Sequence, residues 1–526
     1  MEVPHVETPQ RSIEPRSIEP RGDTPEVDLP QRSIEPRPTI YPRGLLSQGR
    51  RPPPYNVEMK SNSLESVLTK KNVSRPEKIR LVLSLSLPAI LAQLTTIAMQ
   101  YIDAGMVGSL GAEATASIGL VSSTTWLIGG SCIGISAGFY VQIAQLIGAG
   151  RDREAEHVLR QGIKSVVMIG ILISAACLLI SDHVPRWLGG EEAILRNAAA
   201  YFRVYTLAVP FVLLRQLSNG TMQSTGDMKT PSILSAVVCF LDVVLNMLMI
   251  FPTRTAEVFG VSIVIPGAGL KVVGAALATT LSEIIISLVA LYLLGTKNKR
   301  ISLTTKGSWK WHGRNIITAA KIGIPLSFDQ IFMCSAYVAG TKIVAGLGTV
   351  AIAANSLAIT AESLCYMPGY GIGAAATAII GQTIGAGRRD LTKSFSRVSV
   401  YLGMVLMGLT GAIMFVCAPI VFSLLTSSAE VAALGTEVLR LELVAEPLYG
   451  ASICCAGVFR GAGDTLRPSI MNLVSMWCVR ISMALFLVPR MGLRGYWMAM
   501  ALELCFRGLI FLVRLYRGKW MRKAMV

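Results

Sequence analysis

Two carboxylic acids, Asp103 and Asp242, lie in the middle of long apolar runs. A charge at the centre of a membrane-spanning helix costs about 2.5–3.5 kcal/mol on insertion scales, so each needs a reason, and handling a proton or ion is the default one. The rest of the chain bears on whether they act as a pair. Its two halves match at an offset of 237 residues: Pro88 with Pro325, Gln93 with Gln330, Ile147-Gly-Ala-Gly-Arg151 with Ile384-Gly-Ala-Gly-Arg388, and Gly226-Asp227 with Gly463-Asp464. At that offset Asp103 and Asp242 meet Gly340 and Val479, so neither acid is repeated. A group needed by the fold would be expected twice, and the asymmetry points to a function confined to the first half. A carboxylate satisfied by hydroxyls and amides for packing alone remains the alternative.

Other charges within apolar runs rank lower. Asp329 sits near the basic end of its span, where water reaches it, and reads as structural. Glu446 precedes Pro447 and could face a cleft; Glu283 follows Thr279 by one turn on the same helix face. Arg203 and Arg440 are repeat equivalents placed to snorkel. The ten cysteines are scattered, and all four histidines fall outside the apolar runs, so no metal site is expected. No Walker loop, nucleophile–base motif or histidine cluster is present, which argues against an enzyme and against any organic cofactor.

The elements that must position these groups are membrane helices. The chain has 526 residues, 52% hydrophobic and only 15% charged, with mean hydropathy +0.53. Its formal net charge of +17 resembles that of a nucleic-acid binder, but the basic residues cluster in the tails and in alternate short connections. That placement is topology, with both termini cytoplasmic, and no nucleic-acid partner is implied. Runs of roughly 20 apolar residues suffice to span, and the spacing predicts spans over 81–107, 114–147, 166–180, 198–217, 233–251 and 272–294. The second half adds 319–345, 350–384, 398–425, 439–459, 470–488 and 493–513. The predicted fold is therefore an all-α polytopic membrane protein of twelve helices in two six-helix, pseudo-symmetric lobes. Lobes are expected over 79–297 and 316–517, with a cytoplasmic linker over 298–315 and a basic tail over 518–526. Six spans per repeat give both lobes the same orientation, and a duplicated membrane unit marks an alternating-access transporter. Residues 1–78 repeat the word Arg-Ser-Ile-Glu-Pro-Arg and are rich in Pro, Arg and Glu. Such a segment reads as a disordered cytoplasmic tail, and deletion before about Lys71 is expected to leave transport intact.

Taken in order, these residues resemble the multidrug and toxic compound extrusion (MATE) family. The resemblance covers about 79–517 and rests on Pro88…Asp103 with Val107-Gly-Ser-Leu-Gly111, the Ile147-Gly-Ala-Gly150 end, Asn219-Gly220…Gly226-Asp227, Gly274-Ala-Ala-Leu-Ala-Thr279 and Arg460-Gly-Ala-Gly-Asp464. It implies two lobes around a V-shaped cleft and export of drugs or metabolites, often cationic or amphipathic, against a proton or sodium gradient. It is most similar to the prokaryotic DinF-like branch, whose cation site lies in the N-terminal lobe. Motif match would place that site on Asp103, Tyr201, Asn219 and Thr279, with the first-helix bend at Pro88. Where the branch reads Asn-x-x-x-Asp in the fifth span, this chain reads Asp242-Val-Val-Leu-Asn246. Residues four apart share a helix face, so acid and amide still point into one cavity. The sodium-coupled NorM branch uses acids in the seventh and tenth spans, where this chain has Met333 and Tyr449.

The expected function is a cation-coupled antiporter of the cell (inner or plasma) membrane. Asp103 and Asp242, crowded at low dielectric, would share a proton or hold a sodium ion. Cation and substrate would stabilise opposite states. The expected partners are a small amphipathic or cationic molecule and the lipid bilayer, with the protein a monomer and no cofactor beyond the coupling ion. Tyr366, Met367, Tyr370 and Tyr449 are candidate cleft contacts, although core packing also explains them. A flippase for lipid-linked precursors, of related fold, is the alternative function.

Overall fold

The computed structural model describes residues 64–70, 72–258, 261–298, 300–304 and 307–521. A short helix α1 (Leu64–Thr69) precedes α2 (Arg75–Gly108), α3 (Ala112–Gly148), α4 (Asp152–Ile180), the single turn α5 (Val184–Trp187), α6 (Glu192–Ser224) and α7 (Lys229–Met249). An antiparallel hairpin, β1 (Pro252–Val258) and β2 (Val261–Ala268), then leads to α8 (Lys271–Thr296). The second half comprises α9 (Gly313–Ala345), α10 (Thr349–Gly385), α11 (Arg389–Leu425), α12 (Ala429–Leu443) and α13 (Glu446–Gly461). It ends with α14 (Leu466–Val474), a π-helical segment (Ser475–Ile481), α15 (Ser482–Met491) and α16 (Leu493–Arg517). Ten of these helical stretches are long and apolar enough to cross a membrane, and α12 with α13 makes an eleventh. Helix α16, predicted as the twelfth, carries Arg494, Glu503, Arg507 and Arg514 and is not among these stretches.

The repeat is visible in the turns. The glycines that end α3 and α10, Gly150 and Gly387, both have left-handed backbones (φ 71° and 69°), as do Gly111 and Gly348 (106° and 96°) and Gly226 and Gly463 (89° and 76°). A side chain at such a position is strained, which explains why the Ile-Gly-Ala-Gly and Gly-Asp words recur: they are helix stops. Asp227 caps the next helix, its Oδ1 accepting from the backbone N–H groups of Lys229 (3.1 Å) and Thr230 (3.0 Å).

Four features depart from the sequence reading. The 237-residue offset stops after α7, because the hairpin in the first half has no counterpart between α15 and α16. The predicted tail boundary at 78 is too late: residues 1–63 lie outside the described set, but α1 buries Leu64 and Val67 among Ile379, Leu391 and Phe395. Helix α2 already starts at Arg75 behind a capping box of Ser74 and Glu77. The tenth span is two helices bent by 58°. The break falls just before Glu446-Pro447; a proline cannot donate to the preceding turn and disfavours the helical conformation in the residue before it.

The lobes exchange their first helices across the seam, α9 packing on α3 and α2 on α10. A Cβ on Gly134 would strike the Ser327 backbone, and one on Gly371 would strike that of Ile90. These two contacts are repeat equivalents, so the crossing has an approximate two-fold axis.

Candidate functional site

Asp103 comes from α2, Asp242 and Asn246 from α7, and Thr279 and Ser282 from α8. The Asn246 Nδ2 group donates to Asp103 Oδ1 (2.9 Å) and to Asp242 Oδ2 (2.8 Å). Ser282 Oγ donates to Asp242 Oδ1 (3.2 Å). The four-residue spacing of Asp242 and Asn246 stacks them on one face of α7, and α2 packs against that face. Both are buried, whereas Asp103 is partly exposed and forms the open side of the cluster. The two carboxylates also lie within reach of each other. One amide bridging two acids fixes its own orientation, since the reverse placement would turn its oxygen towards both carboxylates. Such a set can hold one proton between two acids, or offer carboxylate and hydroxyl oxygens to a small cation.

Other predicted residues divide into those the fold gathers and those it does not. Thr279 stands beside Asp242. Tyr201 lies within electrostatic reach of both acids and packs with Val107, Ile250 and Val272. Asn219 does not join them. It is buried near the opposite end of the unbroken α6, about 27 Å further along the axis from Tyr201 at 1.5 Å per residue. Pro88 sits inside α2, and the Ser232 hydroxyl of α7 donates to its carbonyl.

The second-tier acids have distinct fates. Glu283 accepts two bonds from Arg215, Nε to Oε2 at 2.6 Å and Nη2 to Oε1 at 2.9 Å, so its carboxylate is already paired. Asp329 accepts from Asn472 Nδ2 (3.1 and 3.3 Å). Glu446 stands buried at the break between α12 and α13, without a hydrogen-bond partner among the described residues. Tyr366 stacks edge-on with Tyr370 and Tyr449 (centroids 5.9 and 5.7 Å), so three of the four predicted cleft contacts form one aromatic group. Met367, the fourth, is half-buried beside them in sequence.

The sequence reading missed a charged network in the second lobe. Arg480, in the π-helical segment, and Arg507 both pair with the buried Glu503 (2.7 and 3.1 Å), and Arg507 lies over the Tyr449 ring. Glu442, one turn before Glu446, is likewise buried and unpartnered among the described residues, and Glu362 lies nearby. These charges interrupt predicted spans, which was signal enough to flag them. Tyr101 was missed too: two residues before Asp103, its hydroxyl donates to Thr360 O (2.9 Å) and meets Ser363 Oγ (3.1 Å) of α10. Helix α2 thus touches the acid cluster and the opposite lobe within one turn.

A sequence model of the family described as MatE matches residues 88–248 and 325–486, one segment in each lobe. The chain belongs to the MATE family. Its relatives include a probable multidrug resistance protein NorM of Thermotoga maritima, 24% identical over 89% of this chain and 98% of that one. Multidrug resistance protein MdtK of Yersinia pestis is 22% identical over 84% of this chain and 96% of its own length. A solved outward-facing multidrug resistance MATE transporter superposes with a TM-score of 0.77 at 22% identity, covering 86% of this chain and all of that one. The MATE fold is that of a multi-pass membrane transporter, and the protein is not an enzyme.

Proposed function

We propose that this MATE protein is a cation-coupled antiporter that exports drugs, toxic compounds or metabolites by alternating access, driven by protons or sodium. The observation that carries the reading is the Asn246 amide bridging Asp103 and Asp242, because it gathers the two unrepeated intramembrane acids into one site. The names of the relatives, multidrug resistance proteins, support small organic molecules as cargo. The N-lobe position of the acids supports the DinF-like pattern, although these two relatives carry NorM and MdtK names. In this reading the end bearing Arg151 and Arg388 faces the cytoplasm, together with both termini. The protein works as a monomer in the cell membrane on amphipathic or cationic cargo, with the coupling ion as its only cofactor.

The coupling element is α2. Loading or emptying the acid cluster changes the forces on Asp103, and Tyr101 transmits any movement of that turn to α10 of the other lobe. Cation and cargo then compete through the conformations they favour, with no covalent step. Asp103→Asn removes the titrating group at nearly constant shape. In proteoliposomes with proton and sodium gradients imposed separately, it should abolish gradient-driven efflux of a fluorescent organic cation while leaving the protein inserted. Efflux at the wild-type rate would sink the N-lobe mechanism. It would favour the second reading, in which the unpartnered Glu442 and Glu446 carry the ion.

A further inference from the structure

At the end bearing Arg151 and Arg388, the lobes are joined by a reciprocal pair of contacts. Gln145, near the end of α3, donates through Nε2 to the carbonyl of Gly461 (3.1 Å), the last residue of α13. Gln382, near the end of α10, donates through Nε2 to the carbonyl of Ser224 (2.6 Å), the last residue of α6. Gln145 and Gln382 are equivalent across the 237-residue repeat, and so are Ser224 and Gly461. Both glutamines are buried (0% and 1% exposed), so neither bond is diluted by solvent. The final carbonyls of a helix lack partners within it. Each glutamine therefore caps the fourth span of the opposite lobe.

The backbones around these side chains fit the same pairing. A Cβ on Gly148 would collide with the backbone of Gln382, and one on Gly385 would collide with that of Gln145. Ala144 occupies the corresponding space against Gly381. Helices α3 and α10 thus cross with main chains in contact, and each glutamine sits at the other's crossing glycine.

We propose that Gln145 and Gln382 form a two-part latch that holds this end of the transporter shut, and that both bonds break together when the seam opens. The two contacts are related by the pseudo-two-fold axis and join the same two bodies. A separation of the lobes that keeps this pseudo-symmetry releases both. Buried amide donors and carbonyl acceptors left unpaired are costly, so the latch opens only where water can enter the seam. The latch depends on neither the coupling ion nor the cargo.

Hydrogen exchange of the full-length protein in detergent or nanodiscs tests this without transport. In Gln145→Leu, exchange should rise about five-fold, the Boltzmann factor of one net hydrogen bond, in all four seam segments: 143–151, 221–227, 380–388 and 458–464. Gln382→Leu should give the same pattern, and the two changes together about 25-fold. If a leucine variant fails to fold, Gln145→Asn and Gln382→Asn keep the amide but shorten its reach, and should give the pattern instead. A rise confined to the substituted glutamine's own contacts, or no rise at all, would overturn the latch. Wild-type protein that shows this exchange behaviour yet transports nothing under either gradient would instead count against the antiporter reading alone.

Discussion

Asn246 offers the sharpest test of the acid cluster, because one amide group serves both carboxylates. Asn246→Leu keeps the shape of the side chain approximately and removes the donor that stands 2.9 Å from Asp103 and 2.8 Å from Asp242. Hydrogen bonds to charged groups contribute about 1.5–3 kcal/mol each, so the change withdraws about 3–6 kcal/mol from the state in which both acids are ionised. At a factor of ten per ~1.4 kcal/mol, even the lower figure shifts the coupling equilibrium by more than about 100-fold. Ser282 and Thr279 still face Asp242, so the loss falls mainly on the link between the two acids. Gradient-driven efflux from proteoliposomes should drop by about two orders of magnitude, with expression and gel-filtration profile matched to wild type. Asn246→Ser retains a shorter donor and should recover part of the rate. If Asn246→Leu transports within three-fold of wild type, the bridge is packing and the argument from geometry to coupling fails.

Two further outcomes follow from contacts outside the cluster. Removing residues 1–63 should leave the melting temperature unchanged, whereas removing 1–73 strips the buried Leu64 and Val67, the Glu65–Arg300 pair and the Leu68 and Lys70 carbonyls that accept from Arg388. At about 1.5–3 kcal/mol per buried aliphatic side chain, the longer deletion should cost roughly 3 kcal/mol or more; equal thermal melts for the two truncations would refute a packed α1. Glu283→Gln should destabilise by about 3 kcal/mol by leaving Arg215 unpaired, and Arg215→Met in the same chain should restore both melting and efflux. A stable but transport-dead double variant would return Glu283 to the coupling machinery.

How far the site could be read from sequence depended on whether its cause was local. Asp103 and Asp242 stand out because intramembrane charge is expensive in any context, and the four-residue step from Asp242 to Asn246 specifies a shared face as soon as the segment is helical. Asn219 shows the limit of matching motifs. Its neighbouring word Gly226-Asp227 is a helix stop and cap, which any chain with this turn requires, and α6 carries Asn219 far from Tyr201. The sequence gives the charges of Glu283 and Glu446 but not their neighbours; the structure pairs the first with Arg215.

By itself, the sequence determined the duplicated helical architecture, the placement of basic connections, and the presence of two unrepeated acids in one half. These follow from hydrophobic run length, turn glycines and the cost of charge in lipid, all of which act within a single segment. Only the tertiary structure decided which groups meet. The Asn246 amide reaches Asp103 across 143 residues, and Tyr101 reaches Ser363 across 262. The break ahead of Pro447 depends on a local signal, but Pro210 lies inside an unbroken α6 at the equivalent repeat position. Packing against neighbours, rather than the proline alone, decides whether a span bends.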